Sequence, residues 1–237
     1  MLKGFFVTAT DTGAGKTIIA RALIKVMQSF DIKVCAMKPI ESGCGKEGDV
    51  LIPYDGTLLR QAAHMEEPLR LVTPCCLENP LAPFAAAEIE DRTISIDEIK
   101  KAYVALRTSY EAIVVEGIGG IMVPVKKDYY VVDLAKEFSL PLLIVIKPGL
   151  GTINHTMLTV NYALEAGLEV AGIVINYSRT PENTLAEKTN PKILEEICPV
   201  PVIGTFPYLT GMGDDLIEKT ALRNFDLEVL KKYVRES

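Results

Sequence analysis

A glycine-rich run with one lysine and one threonine carries the clearest chemistry in this sequence. It reads Thr10-Asp11-Thr12-Gly13-Ala14-Gly15-Lys16-Thr17. Apolar residues precede it, and residues 18–27 follow with apolar side chains at helical spacing. Strand, glycine loop and helix in this order predict a P-loop, whose backbone N–H groups converge on phosphate oxygens at a helix N-terminus. Lys16 would contact the β- and γ-phosphates and the Thr17 hydroxyl would bind Mg²⁺. The alternative is a glycine-rich turn with a chance Lys-Thr pair.

Two charged side chains stand at the ends of predicted strands, where open α/β sheets bind ligands. Lys38 follows the apolar strand 34–37, which Pro39 stops, and we expect this strand to neighbour the P-loop strand. Glu116 ends the buried strand 112–116 and reads as a Walker B-type carboxylate in place of the usual Asp. The alternatives are a solvated lysine and a solvent-facing acid.

Asp55 begins an amphipathic run after the predicted loop 41–54. Its sequence context favours a helix N-cap over a Mg²⁺ ligand, although the two roles are compatible, and Asp49 is a competitor. Ser42 follows Lys38 closely and can therefore reach the same pocket.

Two further positions could contact ligands. The glycine-rich loop 147–152 leads into a predicted helix, 153–166, which makes a second anion site possible in principle. Asn154 and His155 on its first turn otherwise read as ordinary helix-start residues. Asn176, at the end of strand 170–175, either reads an adenine edge through its amide or is a turn residue.

Composition and element order predict the fold. The chain has 237 residues, 49% of them hydrophobic, which indicates one domain spanning 1–237. Strands alternate with helices, so we expect an α/β protein with a mostly parallel sheet between two helical layers, the P-loop NTPase fold. Beyond the first helix, 16–30, and those named above, the pattern predicts a helix running from the capping box at Ser95 to 110, helices 131–138 and 227–234, and strands 142–146 and 202–206. Residues 68–92 are weakly patterned.

The same composition excludes several classes of function. A net charge of −6 without a basic block gives no support to nucleic-acid binding. Five cysteines lack metal-ligand spacing and read as reduced thiols, and two histidines leave little room for a histidine metal site or a Ser-His-Asp triad. No apolar stretch reaches membrane-spanning length and no signal-peptide pattern opens the chain, so we expect a cytoplasmic protein without a membrane partner.

Taken together, these motifs resemble the dethiobiotin synthetase family over almost the whole chain. The match rests on their order: Thr10-Asp11-Thr12 with Gly15-Lys16-Thr17, Lys38-Pro39 with Ser42-Gly43, Asp55, Glu116-Gly117 with Gly119-Gly120, Leu150-Gly151 with Ile153-Asn154-His155, Asn176, and Gly204 with Pro207. Thr10, where an ordinary P-loop has Gly, follows the family's own pattern.

The resemblance implies a reaction and a set of site residues. The family joins 7,8-diaminopelargonic acid and CO₂ with Mg-ATP, through a carbamate and a carbamic–phosphoric anhydride, to give dethiobiotin, ADP and phosphate. Lys38 and Lys16 would be catalytic, and Thr17, Asp55 and Glu116 would hold Mg²⁺, which replaces the N-cap preference at Asp55. The nucleotide would be bound by Gly13, Ala14, Gly15, Lys16, Thr17, Ile18, Asp55, Glu116, Gly117, Ile118, Gly119, Asn176, Tyr177, Pro207, Tyr208, Leu209 and Asp214. The substrate would be bound by Thr12, Ser42, Leu150, Gly151, Thr152 and Asn154, with the loop from Gly151 to Asn154 supplied by the partner subunit of a homodimer.

Two positions depart from the family, and three other classes of protein compete. Gly13 stands where members can carry Glu, and no Tyr occupies residues 186–192, where members can bind the substrate carboxylate. A related amidoligase would need a glutaminase domain, for which the chain is too short. A partition- or Min-type switch ATPase would place a lysine where Asp11 stands. A nucleotide-binding protein without turnover is the third alternative.

Overall fold

The computed structural model describes residues 3–234. Its strands are β1 (Lys3–Ala9), β2 (Val34–Met37), β3 (Ile40–Ser42), β4 (Gly45–Glu47), β5 (Val50–Ile52), β6 (Cys75–Leu77), β7 (Ala112–Glu116), β8 (Pro124–Lys126), β9 (Tyr129–Tyr130), β10 (Leu142–Ile146), β11 (Val170–Asn176) and β12 (Val202–Phe206). Its helices are α1 (Lys16–Ser29), α2 (Tyr54–Ala62), α3 (Leu69–Val72), α4 (Pro83–Ile89), α5 (Ile96–Arg107), α6 (Val131–Phe138), α7 (Thr152–Glu165), α8 (Leu185–Ile197), α9 (Asp214–Asn224) and α10 (Leu227–Lys231).

Six parallel strands form the central sheet in the order β12-β11-β10-β1-β7-β2. β7 and β10 are buried along their whole length, as the continuous apolar runs of a sheet covered on both faces require. Helices flank the sheet, so the predicted α/β architecture is confirmed. The order reverses at β1: its neighbours are β7 on one side and β10 on the other, and the P-loop lies at this switch point.

One prediction about the sheet is wrong. β2 does not neighbour the P-loop strand, because β7 lies between them: Val115 pairs with both Phe6 of β1 and Met37 of β2. The intervening strand places Glu116, its last residue, between the P-loop and Lys38.

The loops contain more structure than the sequence pattern indicates. Residues 41–54, predicted as a loop, hold parts of two small sheets, in which β3 pairs with β6 and β4 with β5. The weakly patterned residues 68–92 form α3, β6 and α4, and two further helices, α8 and α9, were not predicted. Pro191 lies inside α8, and a proline within a helical pattern argues against predicting a helix there. Thr184 and Glu187 nevertheless form a capping box at its start. The final helix ends at Lys231 rather than at 234.

No helix among residues 3–234 combines the length and the apolar character needed to cross a bilayer. All five cysteines are free thiols.

Candidate active site

The P-loop connects β1 to α1 and presents an uncapped helix N-terminus. Gly13 and Gly15 both have positive φ, at 71° and 87°. A Cβ on Gly15 would lie 2.1 Å from Asn176 Nδ2, so no other residue fits there. No side chain caps α1 and its first turn holds no acid, which leaves its N–H groups available to an anion.

A buried lysine and a buried glutamate meet beside the P-loop. The Lys38 Nζ donates to Glu116 Oε1 at 2.5 Å and to the Gly117 carbonyl at 3.0 Å, and it lies 3.5 Å from Asp55 Oδ2. The Thr17 hydroxyl donates to the same Glu116 oxygen at 3.1 Å. These four side chains, Lys38, Glu116, Asp55 and Thr17, form what we call the Lys38 cluster. The alternatives of a solvated lysine and a solvent-facing acid are wrong, since Lys38 is 3% and Glu116 1% exposed.

Electrostatics differ between the two lysines. Burial opposes the charge of Lys38, but the Glu116 and Asp55 carboxylates outweigh it and raise the pKa of Lys38. Burial, together with the nearby charge of Lys38, instead lowers the pKa of Lys16 to about 8. The neighbouring carboxylates therefore keep Lys38 charged. Lys16 forms no ion pair within residues 3–234, so a bound phosphate would stabilise its charged form.

Asp55 is not the N-cap of α2. It is the second residue of that helix, and its backbone N–H donates to Glu41 Oε1 at 2.9 Å while that of Gly56 donates to Glu41 Oε2 at 2.9 Å. Glu41 thus takes over the capping and leaves the Asp55 carboxylate facing Lys38. Sequence reasoning missed Glu41 because its partners are 14 and 15 residues away.

The oxygen atoms of the Lys38 cluster fit a hard divalent cation. Glu116 Oε2 is buried without a hydrogen-bond partner, and Thr17 and Asp55 offer further oxygens. Within residues 3–234 no group of three or more His, Cys, Asp or Glu side chains could hold a metal alone. A cation here would therefore share its coordination with ligand phosphates and water, as Mg²⁺ commonly does.

Asn176, at the end of β11, faces the P-loop. Its Nδ2 donates to the Ala14 carbonyl at 2.7 Å, and its buried Oδ1 has no partner. The alternative of a simple turn residue is wrong, because Asn176 is a buried strand residue. Tyr177 follows it, and its backbone N–H donates to the Phe206 carbonyl at 2.9 Å.

The β12–α9 loop (residues 207–213) follows the next strand and carries three of the predicted nucleotide contacts. Pro207 and Tyr208 are exposed and Leu209 packs against the core. Asp214, just beyond the loop, has both carboxylate oxygens in ion pairs with α1, at 2.7 Å to Arg21 and 3.2 Å to Lys25.

The remaining P-loop and strand-end residues lie around the same edge of the sheet. The Thr12 N–H is held by Asp11, and its carbonyl accepts from Lys147 Nζ at 2.8 Å. Ser42 is half-buried in β3. The other predicted nucleotide contacts are Ile18, half-buried on α1, and Ile118 and Gly119, half-buried just after β7.

The loop before α7 lies on the opposite side of the P-loop. Leu150 is 96% exposed, Gly151 and Asn154 are exposed, and Thr152 is buried with a partnerless hydroxyl. A cavity of about 660 Å³ separates this loop from Gly13 of the P-loop. The strands β10 and β2 are three strand spacings apart, roughly 14 Å. The structure therefore brings Thr17, Asp55 and Glu116 to Lys38, and Asn176 to the P-loop, whereas this loop lies on the β10 side, away from the Lys38 cluster of the same chain.

Lys147 is a second residue that sequence reasoning left without a role. Its Nζ donates to Asp11 Oδ2 at 3.0 Å and lies 4.0 Å from where a Cβ on Gly13 would stand. A glutamate at position 13 would therefore have a cation within reach, whereas here Asp11 takes that place.

A family model described as an AAA domain (AAA_26) matches residues 3–215. Solved structures share the fold: a MinD cell division protein of Aquifex aeolicus is 13% identical with a TM-score of 0.58, covering 99% of this chain and 98% of that chain. A ParA family ATPase of Chlorobium tepidum is 16% identical with a TM-score of 0.54, covering 99% and 97%. Identities this low show the fold alone.

The sheet order, the glycine loop and the Lys38 cluster together define a P-loop NTPase-type protein. Curated relatives narrow the class: an ATP-dependent dethiobiotin synthetase of Thermodesulfovibrio yellowstonii is 45% identical over 97% of this chain and 99% of its own length, and one of Bacillus licheniformis is 43% identical over 97% and 96%. The chain belongs to the dethiobiotin synthetase family, whose members are ligases. The resemblance predicted from the sequence is thereby confirmed.

Proposed function

We propose that this protein closes the ureido ring of dethiobiotin from 7,8-diaminopelargonic acid, CO₂ and ATP, releasing ADP and phosphate. The observation that carries the proposal is the Lys38 cluster beside the P-loop, in a chain of this family. An amine of the substrate traps CO₂ as a carbamate, whose oxygen attacks the γ-phosphorus to give a carbamic–phosphoric anhydride. The second amine then attacks the carbonyl carbon, and phosphate leaves.

Charge compensation is the main task of the residues in this reaction. Negative charge is spread over the γ-phosphoryl oxygens as the phosphoryl group transfers, and Lys16 and Lys38 would stabilise it. Lys38 would bridge the carbamate and the γ-phosphate. The carbamate is already a nucleophile, so no strong general base is needed and positioning supplies the rest. Thr12 and Ser42 would bind the amine end of the substrate.

We infer that the metal site is formed by Thr17, Asp55 and Glu116. The partnerless Glu116 oxygen supports this, because a buried carboxylate oxygen needs a cation or a donor. Bound Mg²⁺ would neutralise phosphate charge. Asn176, Tyr177 and the β12–α9 loop would contact the adenine.

The carboxylate end of the substrate would be bound by a second copy of this chain. The residues proposed for it, Leu150 to Asn154, follow β10, which lies roughly three strand spacings from the β2 strand that precedes Lys38 in the same subunit. A groove of about 370 Å³ beside the P-loop is lined by the exposed apolar residues Met122, Leu158 and Tyr162, a surface suited to a twofold interface. A homodimer on this face would complete the site.

The function is tested by mass spectrometry of purified protein incubated with Mg-ATP, bicarbonate and 7,8-diaminopelargonic acid. Dethiobiotin and ADP should form together, and only when every component is present. Formation of ADP without dependence on the diamine would contradict the proposed reaction, although the P-loop fold would be unaffected by that result.

A further inference from the structure

Arg21 connects the phosphate-binding helix to the β12–α9 loop. It lies on α1, one turn beyond Thr17, and is 8% exposed. Its Nη2 donates to the Met212 carbonyl at 2.8 Å and to Asp214 Oδ1 at 2.7 Å. One buried guanidinium therefore holds both the end of this loop and the start of α9.

A second cation of α1 strengthens the connection. Lys25 Nζ lies 3.2 Å from Asp214 Oδ2 and 3.3 Å from Nε2 of His64, which follows the end of α2. Partial burial opposes the charge of Asp214, but the hydrogen bonds from Arg21 and Lys25 outweigh it and lower the pKa of Asp214. Pro207, Tyr208, Met212 and Gly213 of the loop are exposed, and Leu209 packs against the core, so the Arg21 contacts add a polar attachment at the far end of the loop.

The position of the Lys38 cluster indicates where a nucleoside base must go. Phosphates on the α1 N-terminus have the cluster on their β7 and β2 side, where buried charges leave no room for a base. The base must then extend to the other side, towards Asn176 at the end of β11 and the loop that follows β12. Arg21 contacts the end of this loop from the same helix whose N-terminus forms the phosphate site.

We propose that Arg21 is a positioning residue for the nucleoside base. By holding the β12–α9 loop against α1, it keeps the residues that contact the base at a fixed distance from the P-loop, and Asp214 is its ion-pair partner at the start of α9. The inference rests on the proposed function only for the identity of the nucleotide, ATP. It concerns affinity and base selection, not the chemical step.

The experiment compares Arg21→Met and Arg21→Lys with the wild type and with Arg223→Met, a control at an exposed position of α9. Calorimetry measures ATP and GTP affinity, and the ring-closing assay measures KM for ATP and kcat. We expect Arg21→Met to weaken ATP binding and raise its KM about fivefold to tenfold, a partial effect because Arg21 acts on the nucleotide only through the loop that it holds. The ATP-over-GTP preference should fall, kcat should stay near wild type, and Arg21→Lys should recover part of the affinity.

A purely structural role would act differently, lowering the melting temperature and the active fraction while KM and base preference stay unchanged, and that result would overturn the proposal. Asp214→Asn removes the charge that pairs with Arg21 and Lys25 at the start of α9, and it should shift affinity in the same direction. Should Arg21→Met not fold, Arg21→Lys decides the question through the same comparison of KM, base preference and melting temperature, because it keeps the charge but cannot make both guanidinium contacts. Binding of ATP is measured without the diamine, so failure of ring closure in the wild type would contradict the proposed function and leave this test intact.

Discussion

The charge of Lys38 is a balance between two large opposing effects. Removing an ammonium group from water costs several kcal/mol, and only close anions offset this. Glu116 at 2.5 Å and Asp55 at 3.5 Å supply them. The lysine is thus charged and held in place before any substrate arrives, the arrangement from which electrostatic catalysis gains most.

Replacing Lys38 by Met should lower kcat roughly 10²-fold or more, because an aligned charge next to the transferring phosphoryl group is lost. The variant also leaves Glu116 buried without its cation, so thermal unfolding is measured for it and for Lys38→Met/Glu116→Gln. Lys46→Met is the matched control, since Lys46 is an exposed lysine of the same segment that pairs with Glu78. Wild-type turnover in Lys38→Met would contradict a catalytic role for Lys38.

Lys16 predicts a pH dependence of nucleotide binding. With its pKa lowered to about 8 by burial, Lys16 loses its proton above that pH in the free protein, whereas bound phosphates favour the charged form. Affinity for ATP should therefore be constant below pH 8 and fall above it by up to about tenfold per pH unit.

Calorimetry in buffers of different ionisation enthalpy should detect the uptake of about one proton per nucleotide at pH 9. Lys16→Arg keeps its charge at every accessible pH and should abolish the uptake. Equal affinity from pH 7 to 9.5 in the wild type would rule out a lowered pKa at Lys16.

At the scale of elements, the N-terminus of α2 shows how a cap can free a functional side chain. Pro53 precedes the helix and offers no capping group. Glu41 reaches across from β3 and accepts both free N–H groups, so Asp55 need not turn back on its own helix. The position of the Asp55 carboxylate thus depends on contact between two elements.

Glu41→Gln should destabilise the protein by about 1 to 2 kcal/mol, because one amide oxygen cannot accept what two carboxylate oxygens accepted. The shift of α2 should also raise the Mg²⁺ concentration needed for half-maximal activity. Glu47→Gln, at an exposed glutamate nearby, is the control. An unchanged Mg²⁺ requirement would show that Asp55 is positioned by other contacts.

At the scale of the whole molecule, the strand order separates two parts of the site. The Lys38 cluster lies at the carboxyl ends of β7 and β2. The loop before α7 lies at the carboxyl end of β10, on the other side of the P-loop. Under the proposed assignment, a small substrate that contacts both parts lies between two subunits.

Mixing two inactive variants tests this arrangement. Lys38→Met and Asn154→Ala homodimers, each defective at both sites, should regain about a quarter of wild-type activity after subunit exchange, since random pairing makes half of the dimers mixed and gives each one intact site. Activity is measured at a diamine concentration below the KM of Asn154→Ala. Carrying Leu158→Glu in both chains should prevent recovery, whereas Val104→Glu, at a similarly exposed residue of α5, should not. No recovery in freely exchanging subunits would show that the carboxylate end of the substrate is bound within one chain.

Local patterns in the sequence were enough to determine the elements of the sheet. The strands 34–37, 142–146 and 202–206 and the helix 131–138 are confirmed with the predicted bounds. Continuous apolar runs, a glycine loop and a capping box are short-range signals, so they can be read without knowing what lies nearby in space. The family could also be identified, because its motifs occur in a fixed order.

Tertiary structure alone decided how these pieces meet. The insertion of β7 between β1 and β2 placed Glu116 against Lys38, Glu41 replaced Asp55 as a cap from 14 residues away, and Arg21 found Asp214 from 193 residues away. Such contacts depend on strand order and helix packing. Bringing distant segments together costs conformational entropy, and the burial of the whole core offsets that cost. A single sequence encodes that balance in the sum of many weak contacts, and no local pattern reveals it.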